Sequence, residues 1–362
     1  MKYKLYNIRG TRYANLDQLD AAISCYEKAI SIKPDYVEAH YNLGFTLQRL
    51  GQLDAAVKSY KKVVAIKPEY AEAHNNKILS VIYFFNNGQI PDAIDTLEVL
   101  IKDNPSDALL FNMIGGCYAS LGQLDKAIRY YEQALAIKPD YAVPQHMLNA
   151  LTGNKSTEPP KEYVKNLFDD FAERFDDSLV KKLDYKLPFL MKELILKLDP
   201  TRNKFKKVID LGCGTGLSGK GLRDIGENLT GIDLSRNMVA KARELEVYDH
   251  LIEGDIVDTL STSTEKYDLF IALDVFIYVG ELTKFFKTVR DCCNKNAFFI
   301  FSIETQVGDG YSLLKSARYS HSEEYVLKTT FDRFKLIESQ EVSLRKERDG
   351  WIDGKIYILQ AS

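Results

Sequence analysis

The stretch "VIDLGCGTGLSG", residues 208–219, gathers the residues of this chain best suited to holding a small molecule. Glycines let a backbone turn sharply and approach a ligand closely at the start of a helix. Read from Gly214, the spacing through Gly216 and Gly219 is Gly-x-Gly-x-x-Gly, that of a dinucleotide loop. Read from Asp210, it is Asp-x-Gly-x-Gly-x-Gly through Gly212, Gly214 and Gly216, with the small Cys213 inside the loop, and it points to a different adenosine ligand. A carboxylate beside the glycines repels a pyrophosphate and suits a cationic ammonium or sulfonium. Asp233, 21 residues beyond Gly212, is placed for two ribose hydroxyls, and Asp255 in "EGD" is placed to accept a hydrogen bond from an adenine amine.

Strands and helices must position these groups. From Lys206 the pattern alternates: "KVIDL", "LTGIDL", "HLIEGD", "YDLFIAL" and "NAFFIFSIE" read as strands, with helices in "SGKGLRDI", "NMVAKARELE" and "ELTKFFKTVRDCC". That alternation predicts a mostly parallel, doubly wound sheet. In such a sheet ligands sit beyond the carboxyl ends of the strands, and Asp210, Asp233, Asp255 and Asp274 fall at or just after four such ends. The tail departs from the alternation, with a helix in "EEYVLKTTFDRF" and then "LIESQEVSLRK" and "KIYILQA" reading as a β-hairpin. "TGNKSTEPP" (152–160) reads as a linker. "KEYVKNLFDDFAERFD" carries Val164, Leu167, Phe168, Phe171 and Phe175 on one stripe of an amphipathic helix.

The first half is repetitive. Pro34, Pro68, Pro105 and Pro139 close four similar stretches spaced 34, 37 and 34 residues apart. In each, an alanine stands four residues before an aromatic residue or leucine: Ala22 and Tyr26, Ala56 and Tyr60, Ala93 and Leu97, Ala127 and Tyr131. Four residues apart, the two share a helix face, so a neighbouring helix can approach over the alanine while the ring fills the gap. The pattern resembles the tetratricopeptide repeat, with Gly10, Gly44 and Gly115 at the family's mid-helix glycine and Ile78 in its place in repeat 3. "AVPQHMLNALTG" is expected to cap the array. The resemblance implies a groove for a protein or peptide, in which Asn42 and Asn76 occupy equivalent positions, with Ile8 and Met113 at the corresponding places in repeats 1 and 4.

"VIDLGCGTG", "GIDLS" and "EGDI" together resemble the class I S-adenosylmethionine methyltransferases, and a terminal β-hairpin is usual there. With "FDDFAERFDDSLVKKLDYKLP", "DVFIYVGEL", "RYSHSEEYV" and "LRKE", the chain is similar to a bacterial family of predicted methyltransferases with tetratricopeptide repeats. The resemblance implies an all-α repeat solenoid over 1–151, the linker, and an α/β doubly wound, Rossmann-like methyltransferase domain with a C-terminal β-hairpin over 161–362. It implies S-adenosylmethionine as cofactor, bound by Asp210, Gly212, Cys213, Gly214, Gly216, Asp233, Leu234, Asp255, Ile256 and Asp274, with Tyr163, Phe168 and Phe175 in a lid ahead of the first strand. It places Asp274 and Tyr278 after the fourth strand, facing the acceptor, with His321 a further catalytic candidate if its loop folds over the cleft. Ser320 or Ser322 is expected as the cap of the helix that follows. Arg318, Arg345 and Lys346 could bind an acidic substrate, but each is expected at the solvated surface. The alternative function is an interaction scaffold whose methyltransferase domain is idle.

Bulk properties narrow the field. Lys and Arg total 48 against 51 acidic residues, so the basic excess that nucleic acid requires is missing and no nucleic-acid partner is expected. Five cysteines form no Cys-x-x-Cys pair and no histidine stands at metal-ligand spacing, so reduced thiols and no metal are expected. The sequence has no signal-like leader and no apolar run of roughly 18 residues, which predicts a cytoplasmic protein without a membrane partner.

Overall fold

The computed structural model describes residues 2–16, 18–49, 53–67, 81–82, 84–85, 88–172, 175–176, 185–198, 204–347 and 350–362. The chain divides into two compact units, Met1–Pro144 and Gln145–Ser362.

The first unit is helical: α1 (Lys2–Asn15), α2 (Leu19–Ile32), α3 (Val37–Arg49), α4 (Leu53–Ile66), α5 (Ile90–Asp103), α6 (Ala108–Ser120) and α7 (Leu124–Ile137). Its pairs close as the repeat pattern requires. A Cβ on Gly10, Gly44 or Gly115 would stand 2.6, 2.6 and 2.7 Å from Cε1 of Tyr26, Tyr60 and Tyr131, so only glycine lets the first helix of each pair lie against the tyrosine of the second. Those rings and Ala22, Ala56, Ala93 and Ala127 are buried, since the ring fills what the alanine leaves open. Ile78 and Asn76 lie outside the described residues. Asn42 is half-buried and its amide donates to Asn7 Oδ1 at 3.0 Å, so the side chain that pairs with it in repeat 1 is Asn7 and not the exposed Ile8.

A further helix, α8 (Ala142–Thr152), forms over the expected cap, and from Gln145 it counts with the second unit. There His146 lies 5.1 Å from the Tyr163 ring, with Nε2 3.2 Å from the Ala317 carbonyl oxygen. Two more helices follow, α9 (Lys161–Phe171) and α10 (Leu187–Leu198). The sheet is built from β1 (Phe205–Leu211), β2 (Gly226–Asp233), β3 (His250–Glu253), β4 (Tyr267–Ala272), β5 (Cys293–Glu304), β8 (Phe334–Glu347) and β9 (Gly350–Ala361), in the order β3-β2-β1-β4-β5-β9-β8, while β6 (Tyr311–Leu313) and β7 (Tyr319–His321) pair separately. The first five run parallel; β9 pairs antiparallel with β5, and β8 with β9. Helices α11 (Leu217–Leu222), α12 (Arg236–Glu244), α13 (Ile256–Thr262), α14 (Thr283–Asp291) and α15 (Glu323–Thr330) lie between strands. Central strands covered on both faces must be apolar throughout, and Val208, Ile209, Leu211, Phe270, Ile271, Phe299 and Ile300 are fully buried.

The chain crosses from one half of the sheet to the other between β1 and β4. The carboxyl ends of those strands open the crevice in which a doubly wound sheet takes its ligand. Among the described residues no helix is long and apolar enough to cross a membrane.

Candidate active site

Beyond β1 the backbone enters left-handed conformations at Gly212 (φ 72°), Gly214 (φ 52°) and Gly216 (φ 93°), a region in which side chains are costly. A Cβ at Gly212 would also stand 2.6 Å from Val275 Cγ2. Asp233, at the end of β2, ties this loop down. Its Oδ2 accepts from Gly214 N and its Oδ1 from Ser235 N, both at 2.8 Å. Burial pushes its carboxyl up to about 6, opposed by those backbone N–H groups.

Gly219 answers the question of spacing. A Cβ there would stand 2.4 Å from Tyr248 Cζ, and the same ring crosses close over Gly216 and Gly231. The third glycine of the dinucleotide spacing therefore makes room for a tyrosine side chain, whereas in a dinucleotide loop it lets the helix pack closely on the strand. The Tyr248 hydroxyl donates to Asp210 Oδ2 at 2.7 Å. Asp210 is buried and does not line the cavity, which corrects its expected contact with ligand: the carboxylate faces a tyrosine that arrives from beyond α12. Burial raises its carboxyl to about 7, with the Tyr248 hydrogen bond holding it back.

A cavity of about 700 Å³ runs from the glycine loop under α9 to the residues after β4. Of the expected site residues, Gly212, Cys213, Gly214, Asp233, Leu234, Asp255, Ile256, Asp274, Tyr278 and Phe168 line it. Asp210, Gly216, Tyr163 and His321 are not part of its lining. Gly216 acts through the turn. Tyr163 stands outside the lining, its ring packed on His146 at 5.1 Å, so it is not a lid residue. His321 is wholly buried, and its Nε2 is shared by the carbonyls of Val279 and Gly280 at 2.9 and 3.1 Å. Desolvation lowers it to about 4, so it is a neutral structural ring and leaves the catalytic set. Ser322, rather than Ser320, caps α15 by accepting from Tyr325 N at 3.2 Å.

The segment ahead of β1 is fastened over the cavity. Lys161 reaches Asp255 at 3.2 Å and Asp258 at 2.7 Å; Asp169 accepts from Ser235 Oγ at 2.6 Å and from Asn237 N at 3.2 Å; Asp176 accepts from Thr215 Oγ1. Asp255 also caps α13 through Asp258 N, so its carboxylate already has two partners. Residues read as linker take part as well. Thr157, Glu158 and Pro159 line the cavity, and the Thr157 carbonyl accepts from Gly280 N and Glu281 N at 3.1 and 2.9 Å.

At the far end Asp274 adopts φ 56°, unusual for a residue with a side chain, and its N–H donates to Ser302 Oγ at 2.9 Å. Its Oδ2 lies 3.4 Å from Arg345 Nη1, Arg345 Nη2 lies 3.0 Å from Glu304 Oε2, and Asp274 Oδ1 is buried with no partner. Arg345, expected at the surface, is only 3% exposed. The cause is a register shift in β8 between Ser343 and Arg345, which buries the consecutive residues Leu344 and Arg345 and breaks strand alternation. Arg318, also expected at the surface, lines the cavity and hydrogen-bonds Tyr278, whose ring meets Phe168 edge-on at 5.2 Å. Lys346 remains exposed, over the Trp351 ring at 5.1 Å. Tyr185, buried among these groups, lies in the stretch "FDDFAERFDDSLVKKLDYKLP" but had no spacing or charge to single it out.

Residues 209–301 match the family described as a methyltransferase domain; residues 10–51 match a TPR repeat, and 37–70 and 108–141 the tetratricopeptide repeat. The chain joins tetratricopeptide repeats to a class I methyltransferase domain. It is 26% identical over 156 residues to the ubiquinone biosynthesis O-methyltransferase of Glaesserella parasuis serovar 5, covering 40% of this chain and 64% of that one. It is 44% identical over 64 residues to the malonyl-[acyl-carrier protein] O-methyltransferase of Pectobacterium atrosepticum, covering 18% of this chain and 25% of that one. The chain thus spans 64% and 25% of the length of these curated relatives. Among solved structures it is similar to magnesium protoporphyrin IX methyltransferase from Synechocystis PCC 6803 with bound SAH, at TM-score 0.43 and 20% identity over 56% of this chain and 99% of that one.

S-Adenosylmethionine fits the methyltransferase domain on its own geometry. The Gly212 cradle admits no Cβ, and Asp233 lines the cavity with its carboxylate tied to the glycine loop at Gly214 N. When bound, the cofactor supplies a methyl group activated by a sulfonium centre.

Proposed function

We propose that this chain is an S-adenosylmethionine-dependent methyltransferase whose acceptor enters at the Asp274 end of the cavity and whose repeats hold a protein partner. One observation carries the reading: a single cavity is lined both by Gly212, Gly214 and Asp233 and by Asp274 and Tyr278, with Val164, Leu167 and Phe168 of α9 among its walls. Asp233 takes the ribose hydroxyls, Leu234 and Ile256 flank the adenine, and Asp255, shared with Lys161, orients its amine. Methyl transfer is an in-line displacement, so alignment of the two reactants and exclusion of water are what the protein contributes. The straps at Lys161, Asp169 and Thr157 support that exclusion.

The catalytic unit on this reading begins before residue 161, because Thr157 to Pro159 belong to the cavity wall. Asn42, paired with Asn7, offers an amide surface to a peptide in the repeat groove. Five unpaired, buried thiols are consistent with a cytoplasmic setting.

Isothermal titration with S-adenosylmethionine, S-adenosylhomocysteine and NAD tests the proposal. Binding of the first two without the third is expected, as is at least a tenfold loss of affinity in Asp233→Ala, from removal of charge-assisted hydrogen bonds worth about 1.5–3 kcal/mol. Unchanged affinity in that variant refutes the site. Cofactor binding without turnover on any acceptor selects the scaffold instead.

A further inference from the structure

The Asp274 end of the cavity carries the chemistry of its acceptor. Asp274 spends one oxygen on Arg345 and leaves the other, Oδ1, buried and unpartnered. A buried acceptor atom without a donor is costly, and the left-handed backbone that aims this side chain adds strain. An arrangement maintained at such cost calls for a donor from the ligand. Arg345, held by both Asp274 and Glu304, and Arg318, which hydrogen-bonds Tyr278, place two guanidinium groups around the same spot. Aromatic rings stand beside it: Phe168 meets Tyr278 edge-on at 5.2 Å, and the buried Tyr185 is an electrostatic neighbour of Asp274.

We infer that the methyl acceptor is an aromatic hydroxyl, held between these rings with its O–H donating to Asp274 Oδ1. The inference rests on the methyltransferase reading above and names the substrate class of that site. Three rival classes fit less well. A carboxylate would set its negative oxygen against Asp274 Oδ1, and Arg345 is already shared by two carboxylates. An ammonium would have to shed a proton to become nucleophilic, and two neighbouring guanidinium groups disfavour the cation. An aliphatic hydroxyl is nearly as weak an acid as water, whereas a phenol titrates at about 10, within reach of a buried carboxylate once guanidinium charge stabilises the oxyanion.

The step balances. The phenolic proton passes to Asp274 Oδ1, and the oxygen lone pair forms the new O–C bond to the methyl carbon. The C–S bond breaks with its electron pair retained by sulfur, giving an aryl methyl ether, S-adenosylhomocysteine and a protonated Asp274. Burial raises the Asp274 carboxyl above the ordinary aspartate range while Arg345 and Arg318 hold it back, which makes it a stronger base than an exposed aspartate.

The test uses the full chain and three probes of one size: 4-nitrophenol, its methyl ether 4-nitroanisole, and 4-nitrobenzoate. S-Adenosylhomocysteine is titrated first, so failure of the cofactor reading shows there. The probe comparison is then read with and without it. Expected are about tenfold tighter binding of the phenol than of the ether and loss of that preference in Asp274→Asn. Equal affinity for phenol and ether in the wild-type chain overturns the inference, and that comparison needs no variant to fold. Tighter binding of the benzoate overturns it in favour of a carboxylate acceptor.

Discussion

Replacing Gly219 by alanine tests whether the glycine spacing in this loop serves a ligand or a side chain. The new Cβ would stand 2.4 Å from Tyr248 Cζ and 2.5 Å from its hydroxyl oxygen, and the ring has nowhere to retreat because it already crosses Gly216 and Gly231. Overpacking of this kind costs about 1–3 kcal/mol. Moving the ring also breaks the 2.7 Å hydrogen bond to Asp210, a bond to a charged group worth about 1.5–3 kcal/mol, while alanine recovers up to about 1 kcal/mol of helix propensity in α11. The net is about 3 kcal/mol, or roughly 6–12 °C in the unfolding midpoint of a unit of this size. Tyr248→Phe isolates the hydrogen bond and should cost about 2 kcal/mol. Removing a donor to the ionised carboxyl raises Asp210 above about 7, so the Phe variant should lose more stability at pH 8 than at pH 6. Thermal unfolding of the full chain, with and without S-adenosylhomocysteine, reads all of this. An unchanged midpoint for Gly219→Ala, with affinity for NAD retained or gained, would refute the reasoning.

His321 gives a prediction in pH. Its folded value, about 4, lies below the ordinary 6.5, so the stability of its neutral form is fully present above 6.5 and is lost as pH falls through 4. Between pH 6.5 and 4.5 the wild-type chain should lose about 2–3 kcal/mol more than His321→Gln. Asp210 and Asp233, raised to about 7 and about 6, act in the opposite sense but are common to both proteins, so parallel stability curves for the two would sink the assignment. In the repeats, Gly44→Ala should destabilise by about 1 kcal/mol or more as its Cβ meets Tyr60, and the penalty should vanish when Tyr60 is already leucine. A double-mutant cycle by thermal unfolding measures this, and a coupling near zero would show that the ring does not set the helix spacing.

Local pattern alone was enough for much of this protein. Spacings of four residues set alanine and tyrosine on one helix face, and the mid-helix glycines opposite them follow from the same period, so the repeats were legible as sequence. The same is true of the loop at Gly212 and Gly214, where left-handed backbone permits little else, and of Asp233 and Asp274, which the strand pattern places at carboxyl ends. The rest depended on which distant segments meet. Arg345 enters the site because a bulge in β8 turns two successive residues inward, against the alternation that sent it to solvent in the sequence. Tyr248 reaches Asp210 across 38 residues and takes the space of Gly219, a contact that no spacing encodes. Thr157 joins the cavity wall through two backbone hydrogen bonds to a loop more than a hundred residues away, and His321 turns from the cleft to two carbonyls. Periodicity fixes which face of an element is apolar, because it depends only on backbone geometry; the partner met by a polar side chain is fixed by register and topology, which only the folded chain decides.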